Sequence, residues 1–196
     1  MTVAARHHGK VFVISSPSGG GKTTVVRALL KRLPGMARSI SVTTRAKRTS
    51  ERPGVDYRFV TVDEFQQLRD DGRLLEWAKV HQAYYGTLRD PVERAIEAGR
   101  DVILCIDVQG AKQVRRVFGD RAVLIFLLPP SIGDLRSRLV KRQTDTLESI
   151  RHRLQAARRE LACAKWYDYG VVNHRVDVAV EQLEAIVTAE RLRMRE

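Results

Sequence analysis

Three unbroken apolar runs punctuate the chain, at residues 11–14 (VFVI), 102–106 (VILCI) and 123–128 (VLIFLL). Such runs suit strands buried on both faces, as in a parallel sheet covered by helices. A shorter run at 170–172 suits another strand. Between the runs, apolar positions recur every three or four residues. Val26, Leu29, Leu30 and Leu33 share a helical face, and Pro34-Gly35 ends that helix. Asp90 is expected to cap a helix with Pro91 at its first position, ending near Gly99. Thr61 with Glu64, and Ser131 with Asp134, have the spacing of capping boxes. Val180, Leu183, Ile186, Val187 and Leu192 predict an amphipathic helix over 177–194. Strands alternating with helices predict an α/β fold.

Two segments fit that alternation poorly. Residues 36–89 are rich in Arg, Thr and Tyr, with short strand-like pieces, and residues 136–158 are helical but crowded with Arg and Lys. Both are expected to project over the carboxyl edge of the sheet, where ligands bind in such folds. Internal repeats and low-complexity linkers are absent from the sequence.

Composition sharpens the picture without deciding it. The 196 residues are 43% hydrophobic and 30% charged, enough for a sizeable core in one domain. A formal net charge of +12 favours anionic partners such as nucleotides or nucleic acid. Two cysteines, Cys105 and Cys163, make neither a disulfide framework nor a metal cluster. With no apolar signal core in MTVAARHHGK and no run long enough to span a bilayer, the expected setting is the cytoplasm, with no membrane partner.

The candidate chemistry begins at SSPSGGGKTT, residues 15–24. It departs from the phosphate-loop pattern G-x-x-x-x-G-K-S/T only in Ser16, which stands where the first glycine is usual. Gly19, Gly20 and Gly21 let backbone N–H groups close on phosphate oxygens, and the following helix points its positive end at them. Lys22 reaches the β- and γ-phosphates, and the Thr23 hydroxyl is a ligand for Mg2+. Ser16, Pro17, Ser18, Gly19, Gly20, Gly21, Lys22, Thr23 and Thr24 form the expected ATP-binding loop.

Beyond the loop the chain reads SVTTRAKR, DYRF, LLEWAKV, YYGT, IDVQGA, FLLPPS, RLVKR, ESIRHRL and VVN. In these pieces and their order, over residues 10–193, it resembles the guanylate kinases, which are P-loop nucleoside monophosphate kinases. The resemblance implies transfer of phosphate from ATP to GMP, and with it dGMP. It also implies one domain with a core (about 10–35, 100–135 and 159–196), a GMP-binding lobe (about 36–89) and a lid (about 136–158). It assigns Arg45 and Arg48 to the GMP phosphate, completed by the hydroxyls of Tyr57 and Tyr85, and Ser41 and Glu76 to guanine. Gly86, Thr87 and Asp107 complete that acceptor set. A carboxylate accepts from guanine N1–H and the exocyclic amine, a donor pair that adenine lacks on that edge. Arg138, Arg142 and Arg153 match arginines that act on the phosphates with Lys22 and Arg45, and Asn173 matches a residue near adenine. Charge stabilisation by such groups is the main need of phosphoryl transfer.

Besides Ser16, the chain departs from the family at two places. Cys105 stands where an acid is usual, which bears on magnesium handling. Lys141-Arg142-Gln143 replaces a Gly-Arg-Gly, which stiffens the lid. A non-catalytic module that holds phosphopeptides in the old GMP site is the alternative, and the intact Gly21-Lys22-Thr23 weighs against it. A sugar-phosphate kinase would have little use for Glu76 or Ser41. Nucleic acid is not an expected partner, and self-association is left open.

Overall fold

The computed structural model describes residues 9–80, 82–140 and 147–194, with the backbone alone for 147–150. In chain order the strands and helices are β1 Val11–Ser15, α1 Lys22–Arg32, β2 Ala37–Arg38, β3 Val42–Thr43, β4 Arg58–Phe59, α2 Val62–Asp70, β5 Leu74–Val80 and β6 Ala83–Leu88. There follow α3 Arg89–Glu97, β7 Val102–Cys105, α4 Val108–Phe118, β8 Ala122–Leu128, α5 Ile132–Val140, α6 Leu147–Ala162, β9 Tyr169–Val172 and α7 Val176–Leu192. The larger sheet has the order β2-β7-β1-β8-β9, and β2 with β7 and β8 with β9 pair in parallel. The three long apolar runs lie in β1, β7 and β8, buried nearly throughout, with Ile106 just past the end of β7, while the shorter run lies in β9, where Val171 is its buried residue. The chain divides into two compact units, one within 1–12 and 35–122, the other within 13–34 and 123–196.

The first unit holds β2, β7 and a second sheet of order β4-β3-β6-β5. In that sheet β3 pairs with β4 in parallel and with β6 antiparallel, and β5 pairs antiparallel with β6. Its face is closed by α2, through a core of Val42, Phe65, Leu68 and Leu74. The expected capping box starts α2: Glu64 N donates to Thr61 Oγ1 at 3.1 Å and Thr61 N to Glu64 Oε2 at 2.7 Å. In β5 the register slips between Leu74 and Glu76, so Leu74 faces Leu88 while Glu76 faces Thr87. An extra residue there turns the following side chain inward, a common use of such a bulge.

One expected cap differs. The helix begins at Arg89, with Leu88 as N-cap and no side-chain cap. Asp90 lies inside the first turn, where its charge still suits the positive helix end, and Pro91 follows within that turn.

The second unit holds the phosphate loop, β8, β9 and the helices α1, α5, α6 and α7. Leu135 and Leu139 of α5 pack with Ala157 of α6. At the start of α5, Asp134 N donates to Ser131 Oγ at 3.0 Å, while the Asp134 carboxylate accepts from the Ser131 hydroxyl, a variant of the expected box. Among the described residues no helix is long and apolar enough to cross a membrane.

Candidate active site

The phosphate loop leaves the end of β1 and delivers its last residue, Gly21, as the N-cap of α1. Gly19 and Gly21 both have φ of 90°, a region that L side chains rarely adopt. The loop is also closely packed. A Cβ at Gly19 would approach Leu135 and Leu139 to 3.2 Å, and one at Gly21 would meet Asn173 Nδ2 at 2.5 Å. At Gly20 a Cβ would meet the Ser16 Cβ at 2.9 Å. The side chain that Ser16 adds is therefore accommodated by a glycine four residues on. Within the loop, Gly20 N donates to Pro17 O at 2.9 Å and Ser16 Oγ to the same oxygen at 3.2 Å. Pro17 is buried and Ser18 half-buried.

Asn173, at the end of β9, is buried and donates from Nδ2 to Gly20 O at 2.9 Å. Its own carbonyl accepts from Arg138 Nη2 at 3.1 Å. Asn173 thus ties the loop to an arginine of α5. Lys22, Thr23 and Thr24 occupy the first turn of α1, half-buried, exposed and exposed respectively. Among the described residues the Thr23 hydroxyl makes no hydrogen bond. It suits a cation of the magnesium type, which takes few protein ligands and completes its shell with water and nucleotide phosphates.

In the first unit a second cluster forms around Arg45. Its backbone is fixed from β3: Arg45 N donates to Thr43 Oγ1 at 3.2 Å, and that hydroxyl donates to Tyr84 O at 3.0 Å. Its guanidinium donates from Nε to Tyr85 Oη at 3.1 Å, from Nη1 to Ala46 O at 2.6 Å and from Nη2 to Glu51 Oε1 at 2.7 Å. The guanidinium lies 5.5 Å from the Tyr57 ring centre, and Tyr57 and Tyr85 meet edge to face at 6.1 Å. Burial pushes the Tyr57 phenol up, and the neighbouring Tyr85 adds to this, so it is a neutral donor at physiological pH. Burial opposes charge on both Arg45 and Glu51. Their mutual hydrogen bond, together with the Arg45–Tyr85 bond, the bond from Arg48 N to Glu51 and the attraction of the charges, outweighs it, raising the arginine and lowering the glutamate. Arg48 is exposed, and its backbone N donates to Glu51 Oε2 at 2.9 Å.

Glu76 is the most deeply placed acid of the acceptor set, at 3% exposure. Thr87 Oγ1, across the sheet, donates to its Oε1 at 2.6 Å. On the other side Gly110 of α4 lies so close that a Cβ there would come within 2.2 Å of Glu76 Oε2. Asp107 caps α4, accepting from Gly110 N at 2.9 Å, so its carboxylate serves this helix end. Gly86, opposite Val42 and Trp77, is buried where a Cβ would press on Glu76 O at 3.1 Å. Ser41 is half-buried just before β3.

The structure therefore assembles Arg45, Tyr57 and Tyr85 into one group and Glu76 with Thr87 into another. Cys105 is the half-buried last residue of β7. Arg153 is half-buried on α6, while Arg142, with Lys141 and Gln143, lies outside the described residues. Two residues escaped the sequence reading. Glu51 was signalled by the three-residue spacing Arg45, Arg48, Glu51, and Gly110 by being a glycine inside a helix, where close approach is the usual reason.

A glycine loop on the first strand of a parallel sheet, running into a helix N-terminus, defines a P-loop nucleotide-binding protein. The guanylate kinase profile matches residues 8–190. The chain is 49% identical to the guanylate kinase of Chelativorans sp. (strain BNC1) over 96% of its own length and 86% of that protein. It is 46% identical to that of Carboxydothermus hydrogenoformans over 95% and 91%. The crystal structure of guanylate kinase from Anaplasma phagocytophilum matches at a TM-score of 0.80 and 32% identity, covering 96% of this chain and 89% of that one. The chain belongs to the guanylate kinase family.

Proposed function

We infer that this chain transfers the γ-phosphoryl group of ATP to GMP, yielding ADP and GDP. The observation that carries the acceptor is the Glu76 carboxylate, buried and held by Thr87 in the unit that also presents Arg45 with Tyr85. One acid reads guanine, and one arginine, steadied by a tyrosine, takes a phosphate. The acid has no equivalent use on a sugar phosphate.

An oxygen of the GMP phosphate attacks the γ-phosphorus, and the bond from that phosphorus to the β–γ bridging oxygen breaks. The attacking oxygen is already anionic, so no side chain need act as a general base. The residues position and neutralise. Loop N–H groups and Lys22 hold the β- and γ-phosphates, and Lys22 follows the charge as it moves to the leaving oxygen. Arg45, Arg48, Tyr57 and Tyr85 hold the GMP phosphate, while Ser41, Glu76 and Thr87 hold guanine beside Gly86 and Asp107. Arg138, Arg142 and Arg153 neutralise the transferring group from the lid, residues 136–158. The lobe is 36–89, and the remainder is core. Asn173 lies by the adenine side and orders the loop through Gly20.

Enzymes of this family use ATP, for which a divalent metal is expected. Mg2+ bound by Thr23 and the phosphates would offset phosphate charge. The partners are ATP and GMP, with no nucleic acid and no membrane, in the cytoplasm. The intact glycine loop disfavours a phosphopeptide module. The test is product balance. With ATP, magnesium and GMP, the chain should release ADP and GDP in equal amounts. ADP without GDP, or phosphopeptide affinity without ATP affinity, would contradict the assignment.

A further inference from the structure

A cavity of about 380 Å³ in the first unit belongs to neither substrate site, and its size is that of a small-molecule pocket. Its walls are apolar through Ile40, Leu88 and Val92, with three arginines, Arg38, Arg58 and Arg100, and no carboxylate. Its position follows from strand alternation. Ile40, Arg58 and Leu88 are chain neighbours of Ser41, Tyr57 and Thr87, and successive side chains of an extended chain point to opposite faces. The acceptor residues occupy one face and the cavity lies behind them. A smaller cavity of about 210 Å³ shares Arg58, Leu88 and Pro91 with it and adds Arg73, Arg94 and Asp90, the last two paired at 3.9 Å.

The arginines are what make this more than a gap. Arg38 Nε is buried without a hydrogen-bond partner. Among the described residues, Arg38, Arg58 and Arg100 form no ion pair, although other arginines of the unit do, such as Arg45 with Glu51 and Arg89 with Glu93. A buried N–H of a charged group with no acceptor is costly, and a guanidinium fork matches phosphate oxygens.

We propose that this cavity is a second ligand site, for a small organic phosphate with an apolar or aromatic body. The arginines take the phosphate, and the body lies on Ile40, Leu88 and Val92. Arg38 is the central contact because it is the least exposed of the three arginines, and turning its guanidinium onto the phosphate gives the enclosed Nε the acceptor it lacks.

Calorimetric titration of 1-naphthyl phosphate into the whole chain, held at saturating GMP so that the acceptor site is filled, tests this. One binding site is expected, with inorganic phosphate at least about tenfold weaker because the apolar contact is lost. Arg38→Met should weaken the probe about tenfold, and Arg58→Gln several-fold, with GMP turnover unchanged in both. Arg58 is exposed, so Arg58→Gln decides the matter if Arg38→Met does not fold. Absence of binding, unchanged affinity in the variants that fold, or binding seen only without GMP would overturn the proposal.

Discussion

Gly110→Ala is the substitution through which the acceptor account is most exposed. Gly110 is buried in the first turn of α4. A Cβ there would stand 2.2 Å from Glu76 Oε2 and 2.9 Å from Glu76 Cδ. Neither distance is tolerable between unbonded heavy atoms, so the carboxylate must turn away. It has little space to do so, being 3% exposed and held by Thr87 at 2.6 Å. Turning breaks that bond and moves the oxygens proposed to read guanine. A hydrogen bond to a buried charged group is worth about 1.5–3 kcal/mol, which corresponds to about a 10- to 150-fold change in an equilibrium. Alanine is the better helix former by about 1 kcal/mol, which offsets part of the loss in stability. The damage should therefore appear in recognition more than in melting. Steady-state kinetics at saturating ATP should show kcat/KM for GMP down by about 10- to 150-fold, mainly in KM, with KM for ATP held. A variant that melts like the parent and handles GMP as well as the parent would refute the placing of Glu76 at guanine.

Other expectations can be checked separately. Lys22→Ala should lower kcat by about 100-fold or more while GMP binding, followed by calorimetry, is largely kept; lost GMP binding with normal kcat would contradict its role. Glu51 has a lowered pKa, so its contribution to stability is complete above the unfolded glutamate value of about 4.3 and is lost as pH falls through the lower folded value. The melting difference between the parent and Glu51→Gln, about 1 kcal/mol at neutral pH, should therefore close on acidification below that range, and a gap that persists or widens would count against the pairing with Arg45. Cys105→Asp should leave activity equal or raise it, with a lower magnesium requirement in a titration; a collapse of activity would show that the thiol has a function of its own.

Strands β1, β7 and β8 of the large sheet were legible because they are apolar runs whose burial needs no further information. The glycine loop was legible because phosphate contact restricts residue type at each place. The capping box of Thr61 and Glu64 is likewise a local arrangement. The two-residue strands β2, β3 and β4 were not, since pairing of β2 with β7, of β3 with β6 and of β4 with β3, all distant in sequence, makes them strands. The slip before Glu76 depends on register against β6, which no local pattern encodes. Gly110 against Glu76 and Asn173 on Gly20 are contacts between distant segments, visible only once the chain is folded. Asp90 misled because Asp before Pro is a strong cap signal, yet the helix starts two residues earlier, directly after β6.

The most direct measurement is ADP release with GMP, dGMP, AMP, CMP and UMP as acceptors under one set of ATP and magnesium concentrations. The account predicts turnover on GMP and dGMP, and kcat/KM for AMP, CMP and UMP lower by orders of magnitude, because only guanine offers the donor pair that Glu76 accepts. Faster turnover on AMP than on GMP would contradict it.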